Sequence, residues 1–298
     1  MKSNSTLELI LLAAIWGSSF LFIRMSSAEF GPVLLMATRT LIASVFLVPL
    51  MFLYKQQKTL HLTNKGNYGK IFFASMFNTA IPFVLIGYAA LTLPAGVTSI
   101  INATTPMFAA IIAFFWLKNK MSLSSLFGLL LGFIGVYLLM LDKMHFDKST
   151  SILPMLAGLG ASCCYSIGTN YTKQYLHAIA PIALSASNQV AASLVLIPLS
   201  LLFLPNQVPS TQAIYAVILL GILCTGIGYI LFFNILAKTG AATAVSVTYL
   251  IPAFGLFWGA MFLDETITVW ILLSSGLILC GIGLTTGLFQ RLLSSSFK

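Results

Sequence analysis

PVLLMATRTLIASVFLVP, residues 32–49, returns later in the chain as PIALSASNQVAASLVLIP, residues 181–198. Both stretches are apolar, and each opens and closes on a proline, 149 positions from its counterpart. Proline lacks an N–H and clashes with the preceding turn, so inside an apolar run it is not placed casually. The same shift sets Trp16 on Tyr165, Arg24 on Lys173 and Arg39 on Asn188. A shift of 146 overlays the later parts: Pro106 on Pro252, Leu117 on Leu263, Asn119 on Glu265 and Gly135 on Gly281. The shorter loop before the eighth apolar run absorbs the change of offset. The two halves therefore read as one unit repeated, residues 1–148 and 149–298.

Composition says where such a unit can live. The 298 residues are 59% hydrophobic and only 7% charged, with a mean hydropathy of +1.00. Soluble domains carry about a quarter charged residues. A chain this apolar cannot cover its own surface with polar groups, so lipid is part of its solvent. Spans of about 20 residues each are expected at 7–26, 32–54, 69–91, 94–117, 123–141, 152–173, 180–204, 212–236, 240–262 and 267–289. They nearly exhaust the chain and leave no room for a soluble domain. The opening run, although it follows Lys2, reads as a retained first helix, because Ser26-Ser27-Ala28 is a poor cleavage site. Pro32, Pro94 and Pro181 stand where a helix begins without wasting an N–H.

The net charge of +9 does not point to nucleic acid, because the basic residues are scattered at span ends with no interleaved aromatics. They sort by side instead. With the N-terminus inside, Lys2, Lys55, Lys58, Lys65, Lys70, Lys118, Lys120, Lys173, Lys238, Arg291 and Lys298 are cytoplasmic. Only Arg24, Lys143 and Lys148 fall outside, and Arg39 lies within a span. Eleven against three places both termini in the cytoplasm. Five spans is an odd number, so the second unit enters the membrane from the opposite side. The expected fold is an all-α polytopic membrane protein of ten transmembrane helices in two inverted five-helix repeats. Such repeats build secondary transporters, because two mirrored conformations follow from the symmetry and the substrate site lies between the halves.

Trp16-Gly17-Ser18-Ser19-Phe20 in the first span, Arg39 seven residues after Pro32, Pro106, Pro252 and the ending Leu263-Asp264-Glu265-Thr266 before a run with Gly276, Gly281 and Gly283 form an ordered set. Over essentially the whole chain, the sequence resembles EamA-type transporters of the drug/metabolite transporter superfamily. The resemblance implies a ten-helix fold with a central cavity, in the inner membrane of a bacterium. It implies that small metabolites such as amino acids or their relatives are carried, often outward. Two positions depart from the pattern: Asn119 stands where Glu is usual, and Tyr165-Ser166 where Trp-Gly is typical. Drug pumps of the related small type rely on a membrane carboxylate that this chain lacks, which favours metabolite export over multidrug efflux.

Arg39 is the only strongly basic side chain well inside a span, about 10 Å from its outer end at 1.5 Å per residue. It reads either as a clamp for a substrate carboxylate or as a residue that snorkels to the interface. Trp16 and Tyr165 are repeat mates at mid-span, and either line the cavity or pack helices. Trp116 and Trp270 belong to interfacial belts. Asn78, Asn102, Asn188, Gln189 and Asn234 lie in apolar runs and must face the bundle or the cavity. Asn78 and Asn102 each precede a proline by one turn and could instead satisfy the carbonyl that the proline frees. Ser19, Tyr88 and Tyr249 complete the cavity candidates, and Pro106 and Pro252 are hinge candidates. Gly128, Gly132 and Gly135 let helices approach closely.

The carboxylates Glu8, Glu29, Asp142, Asp147, Asp264 and Glu265 all fall at span ends or in loops. None sits deep in the membrane where proton-driven pumps commonly hold one, so facilitated transport or exchange is expected; Glu8 is the best remaining proton site. His61, His145 and His177 are in loops, and Cys163, Cys164, Cys224 and Cys280 form no C-x-x-C. No catalytic pair, metal site or cofactor is expected. The expected partners are a small-molecule substrate and the lipid bilayer, with the chain monomeric or weakly dimeric. A non-transporting membrane scaffold is the remaining rival.

Overall fold

The computed structural model describes residues 3–61, 67–146, 152–240, 244 and 246–287. Lys2, Lys65, Lys148, Arg291 and Lys298, used above in sorting charge, and the carboxylate Asp147 lie outside the described residues. The described residues are helical, with no strand among them. In chain order the principal helices are α1 (Ser3–Phe30), α2 (Pro32–Leu53), α3 (Tyr68–Ala89), α4 (Ala95–Trp116), α5 (Leu123–Phe146), α6 (Leu153–Tyr175), α7 (Pro181–Phe203), α8 (Thr211–Thr239), α9 (Ile251–Leu263) and α10 (Val269–Thr285).

Seven of these, α1 to α5, α7 and α8, are long and apolar enough to cross a membrane. α6 is long enough, at 23 residues, but its last turns carry Asn170, Thr172, Lys173 and Gln174. α9 and α10 are shorter apolar helices. The expected ninth span is broken: Ser246–Tyr249 forms a tight 3₁₀ turn, and α9 starts only at Ile251.

The expected helix starts hold. Pro32 and Pro181 are the first residues of α2 and α7, and Pro94 caps α4. A single residue, Gly31 with φ of 70°, separates α1 from α2. Only glycine takes that left-handed turn at no steric cost.

Three helices are irregular. α3 widens into a π-helical stretch at Met76–Ala80, and α8 does so at Leu220–Ile227. Shifted by 146, the first stretch falls within the second. α4 breaks between Asn102 and Thr105, and the 146 shift carries that break onto the one ahead of α9. Pro106 and Pro252 are each the second residue of the helical segment after the break. They do not kink a continuous helix; they open a new one, where a missing N–H is free of cost. Lys118 and Asp264, also 146 apart, share the left-handed conformation with φ of 52°.

Packing follows the same pattern. α2 lies along α7, α5 along α10, and the first half of α4 against α9. α1 packs on α8 and α9, while α6 packs on α3 and α4. The α5–α10 contact is backbone on backbone at Gly128, Gly132 and Gly281. Phe115, Phe127, Leu194, Leu202 and Leu272 are all more than half exposed on the outer faces. A continuous apolar surface of that kind suits lipid and not water.

Polar contacts join the helices at two ends. At one end, Glu29 Oε1 accepts from Ser210 Oγ at 2.9 Å, Glu265 accepts from the backbone N–H groups of Ala95 (2.6 Å) and Gly96 (3.1 Å), and Arg24 donates to the Ala90 and Leu91 carbonyls. At the other, Lys238 donates to Glu8 at 2.6 Å, while Gln56 and Thr59 accept from the N–H groups of Ile182 and Ala180.

Ser210 is the N-cap of α8, accepting from Ala213 N while it donates to Glu29. Ser210→Ala removes both bonds and is expected to lower stability by about 1 kcal/mol. Thermal unfolding of the purified protein in detergent reads this as a lower midpoint.

Candidate functional site

The residues that meet in the middle of the bundle come from both halves of the chain. Arg39 on α2 is 9% exposed. Its Nε donates to Thr225 Oγ1 on α8 at 3.1 Å, and its guanidinium carbon lies 3.8 Å from the centre of the Phe83 ring on α3. The terminal nitrogens donate to no described residue and are not among the buried unpartnered polar atoms, so they keep accessible surface.

Aromatic rings wall the space. Phe83 meets Tyr165 on α6 edge to face, with centres 6.4 Å apart. Trp16 on α1 meets Tyr229 edge to face at 6.3 Å and lies 5.4 Å from Phe232. Trp16, Tyr165 and Tyr229 are each only partly buried. Neither phenol oxygen is among the buried unpartnered atoms, so both border an opening.

The π-helical stretch of α8 arranges one wall. Its widened turn leaves main-chain carbonyls free of the usual ladder. The Cys224 carbonyl takes the Trp16 indole N–H at 3.1 Å, and the Leu220 carbonyl takes the Thr225 hydroxyl at 3.0 Å. Gly228 makes room, since a Cβ there would stand 2.6 Å from Trp16 Nε1. The outcome is a positive, hydrogen-bonding centre inside an aromatic enclosure, which can hold an anionic group at one point and apolar surface around it.

Of the candidates from sequence, Trp16, Arg39 and Tyr165 come together here. Ser19 is buried one turn from Trp16 and donates to its carbonyl at 2.6 Å. The others lie elsewhere. Asn78 donates to Thr172 Oγ1 at 3.0 Å across the α3–α6 contact. Asn188 accepts from Ser75 Oγ at 3.0 Å, so it serves in helix packing as its repeat mate Arg39 does toward Thr225. Asn102 sits at the α4 break with its side-chain oxygen buried and unpartnered. The carbonyl that Pro106 frees is taken by the Thr105 hydroxyl, not by the Asn102 amide. Gln189 is fully buried, with both polar atoms unpartnered.

Three candidates stand away from the central cluster. Tyr88 is 39% exposed, because it falls on the outward face of the last turn of α3. Asn234 is exposed on the turn before Lys238. Tyr249 shares a hydrogen bond with Thr286, beyond the last turn of α10. Trp116 and Trp270 are exposed at helix ends, where interfacial anchors belong. Glu8, the remaining proton site from sequence, is paired with Lys238 at the end of the bundle.

Sequence reading missed Phe83, Thr225 and Tyr229. Thr225 and Tyr229 lie in and just after the π-helical stretch, among Gly221, Gly226 and Gly228, and that combination was the available signal.

A model of the EamA-like transporter family matches the chain twice, over residues 5–141 and 152–287. An uncharacterized transporter of Bacillus subtilis (strain 168), YoaV, is 25% identical over 287 residues, covering 96% of this chain and 97% of its own. A protein of Escherichia coli (strain K12) named "probable amino-acid metabolite efflux pump" is 22% identical over 287 residues, covering 92% of this chain and 91% of its own. A solved crystal structure superposes with a TM-score of 0.67 at 17% identity, over 98% of this chain and 99% of that one. With membrane-length helices, an apolar outer surface and two successive matches that together span nearly all 298 residues, the chain is a multi-pass membrane protein belonging to the EamA-like transporter family.

Proposed function

We propose that this protein is a secondary transporter of small organic metabolites, amino acids or related compounds, and that it exports them across a bacterial inner membrane. The observation that carries this reading is the Arg39 centre, where α1, α2 and α3 of the first half meet α6 and α8 of the second. Ten spans in two inverted repeats of five would make that junction the midplane site of an alternating-access carrier. The recurrence of helix breaks, π stretches and left-handed caps at matched positions supports the duplication, as does the double family match.

The two polar ends of the bundle then act as alternating closures, and the breaks ahead of Pro106 and Pro252 as hinges. Both termini face the cytoplasm, and the working unit is a monomer or weak homodimer. The role is transport and not catalysis. The name of the Escherichia coli relative supports amino-acid metabolites as cargo.

The test is a comparison of intracellular and secreted metabolites in cells lacking and overproducing the protein. A metabolite retained on deletion and secreted on overproduction is expected. A screen in which no metabolite moves rejects transport and leaves the scaffold reading.

A further inference from the structure

We infer that the central site takes an organic monocarboxylate with an apolar or aromatic body and no charged amine. This deepens the transport reading above and rests on it.

Charge balance at Arg39 selects the cargo. Arg39 is buried in the bundle with a single hydrogen bond, from Nε, and an aromatic ring beneath it. A buried cation without a counter-ion is costly, and a hydroxyl and a ring face do not neutralise it. Its two terminal nitrogens are unbonded and keep accessible surface. They form the flat fork that a carboxylate meets with two parallel bonds. The anion that completes the site is therefore the cargo, and Trp16, Tyr165 and Tyr229 supply the surface on which its body lies.

Among the described residues no carboxylate stands there to meet an ammonium. The described carboxylates stand at helix ends, and three are committed: Glu8 to Lys238, Glu29 to Ser210, and Glu265 to Ala95 and Gly96. Asp264 lies in an exposed turn, and Asp142 stands in the last turns of α5. The charged amine of an amino acid would enter beside Arg39 as a second cation and leave the site with a net positive charge that no described carboxylate offsets. The site thus discriminates between an amino acid and its amine-free counterpart by charge, with size and shape nearly equal.

The experiment is calorimetric binding to the full-length protein in lipid nanodiscs, with 3-phenylpropionate, phenylalanine and phenethylamine as probes. The acid is expected to bind at least about tenfold more tightly than phenylalanine, and phenethylamine not to bind. Arg39→Gln is expected to lose the acid by a similar factor, while Arg39→Lys retains part of it. The ranking on the unmodified protein decides the matter even where Arg39→Gln folds poorly. Phenylalanine equal to or tighter than the acid, competition by phenethylamine, or a folded Arg39→Gln that binds the acid normally would each overturn the proposal. No binding of the acid, while the metabolite screen finds another cargo, overturns it and leaves transport standing. No binding and no cargo removes both.

Discussion

Gly281→Ala is expected to destabilise the protein by about 3 kcal/mol, the upper end of what overpacking a core costs. A Cβ at Gly281 would lie 2.6 Å from the Gly128 carbonyl oxygen and the Gly132 nitrogen, and 2.7 Å from Gly132 Cα. All three are main-chain atoms of the facing helix. A flexible side chain could swing away, but a helix backbone cannot, so α5 and α10 must separate along their contact. Little compensates for that loss, because lipid tails are as apolar as the leucines they would replace, and close packing is what holds such helices together. Gly276→Ala on the same helix is the control. Nothing lies within 4 Å of a Cβ there, and alanine is the better helix former. Thermal unfolding in detergent should show a large fall for Gly281→Ala and no fall for Gly276→Ala. Equal falls would mean that α10 resists any added methyl, and the close approach would not be the cause.

Glu265→Ala is expected to cost about 3 kcal/mol, because it strands two N–H groups that a charged acceptor now satisfies. The carboxylate reaches across from the turn after α9 to the first residues of α4, where the helix dipole adds to the attraction. Gly259 is part of the arrangement. A Cβ there would collide with the Glu265 carboxylate, so the missing side chain is the seat in which the carboxylate rests. Glu265→Gln keeps one acceptor oxygen and should lose about half as much. The local readout is hydrogen exchange at the Ala95 and Gly96 amides, which should accelerate by about a hundredfold in Glu265→Ala. Unchanged exchange would show that these amides are protected by something other than the carboxylate. At the repeat-related position the chain has Asn119, which is exposed and carries no charge. The two repeat-related positions are therefore not bonded alike.

The large-scale organisation was legible because lipid imposes it. Apolar runs, proline starts and charges at their ends follow from the cost of an unsatisfied backbone in hydrocarbon, and each has a mark in composition. Paired prolines pointed to a duplication for the same reason. Trp16, Arg39 and Tyr165 were legible as members of the central cluster because each is an oddity in an apolar run. What escaped was whatever depends on backbone shape. The break ahead of α9 sits in a run that reads as one span, and its only sequence sign is Pro252, which does not say whether the helix bends or restarts. The π stretch of α8 has no signature in LGILCTGI, yet it brings Thr225 to Arg39 and the Cys224 carbonyl to Trp16. Tyr88 and Asn234 were misplaced in the opposite sense. A polar group in an apolar run was read as facing inward, but both lie within a turn or two of a helix end, where the outer surface accepts polar groups.

The π-helical wall of α8 has a consequence for how such a site diverges. Where side chains supply the polar groups of a chamber, every change of residue edits its chemistry. Here part of the polar bonding is made by main-chain carbonyls, at a one-residue slip in the helical register. That part persists through substitution and is lost only by insertion or deletion. A lineage can then rework Phe83, Tyr165 or Tyr229 to suit a new molecule while the indole-bearing carbonyl stays where it is. The backbone keeps a constant polar frame, and the aromatic residues become the adjustable type set within it.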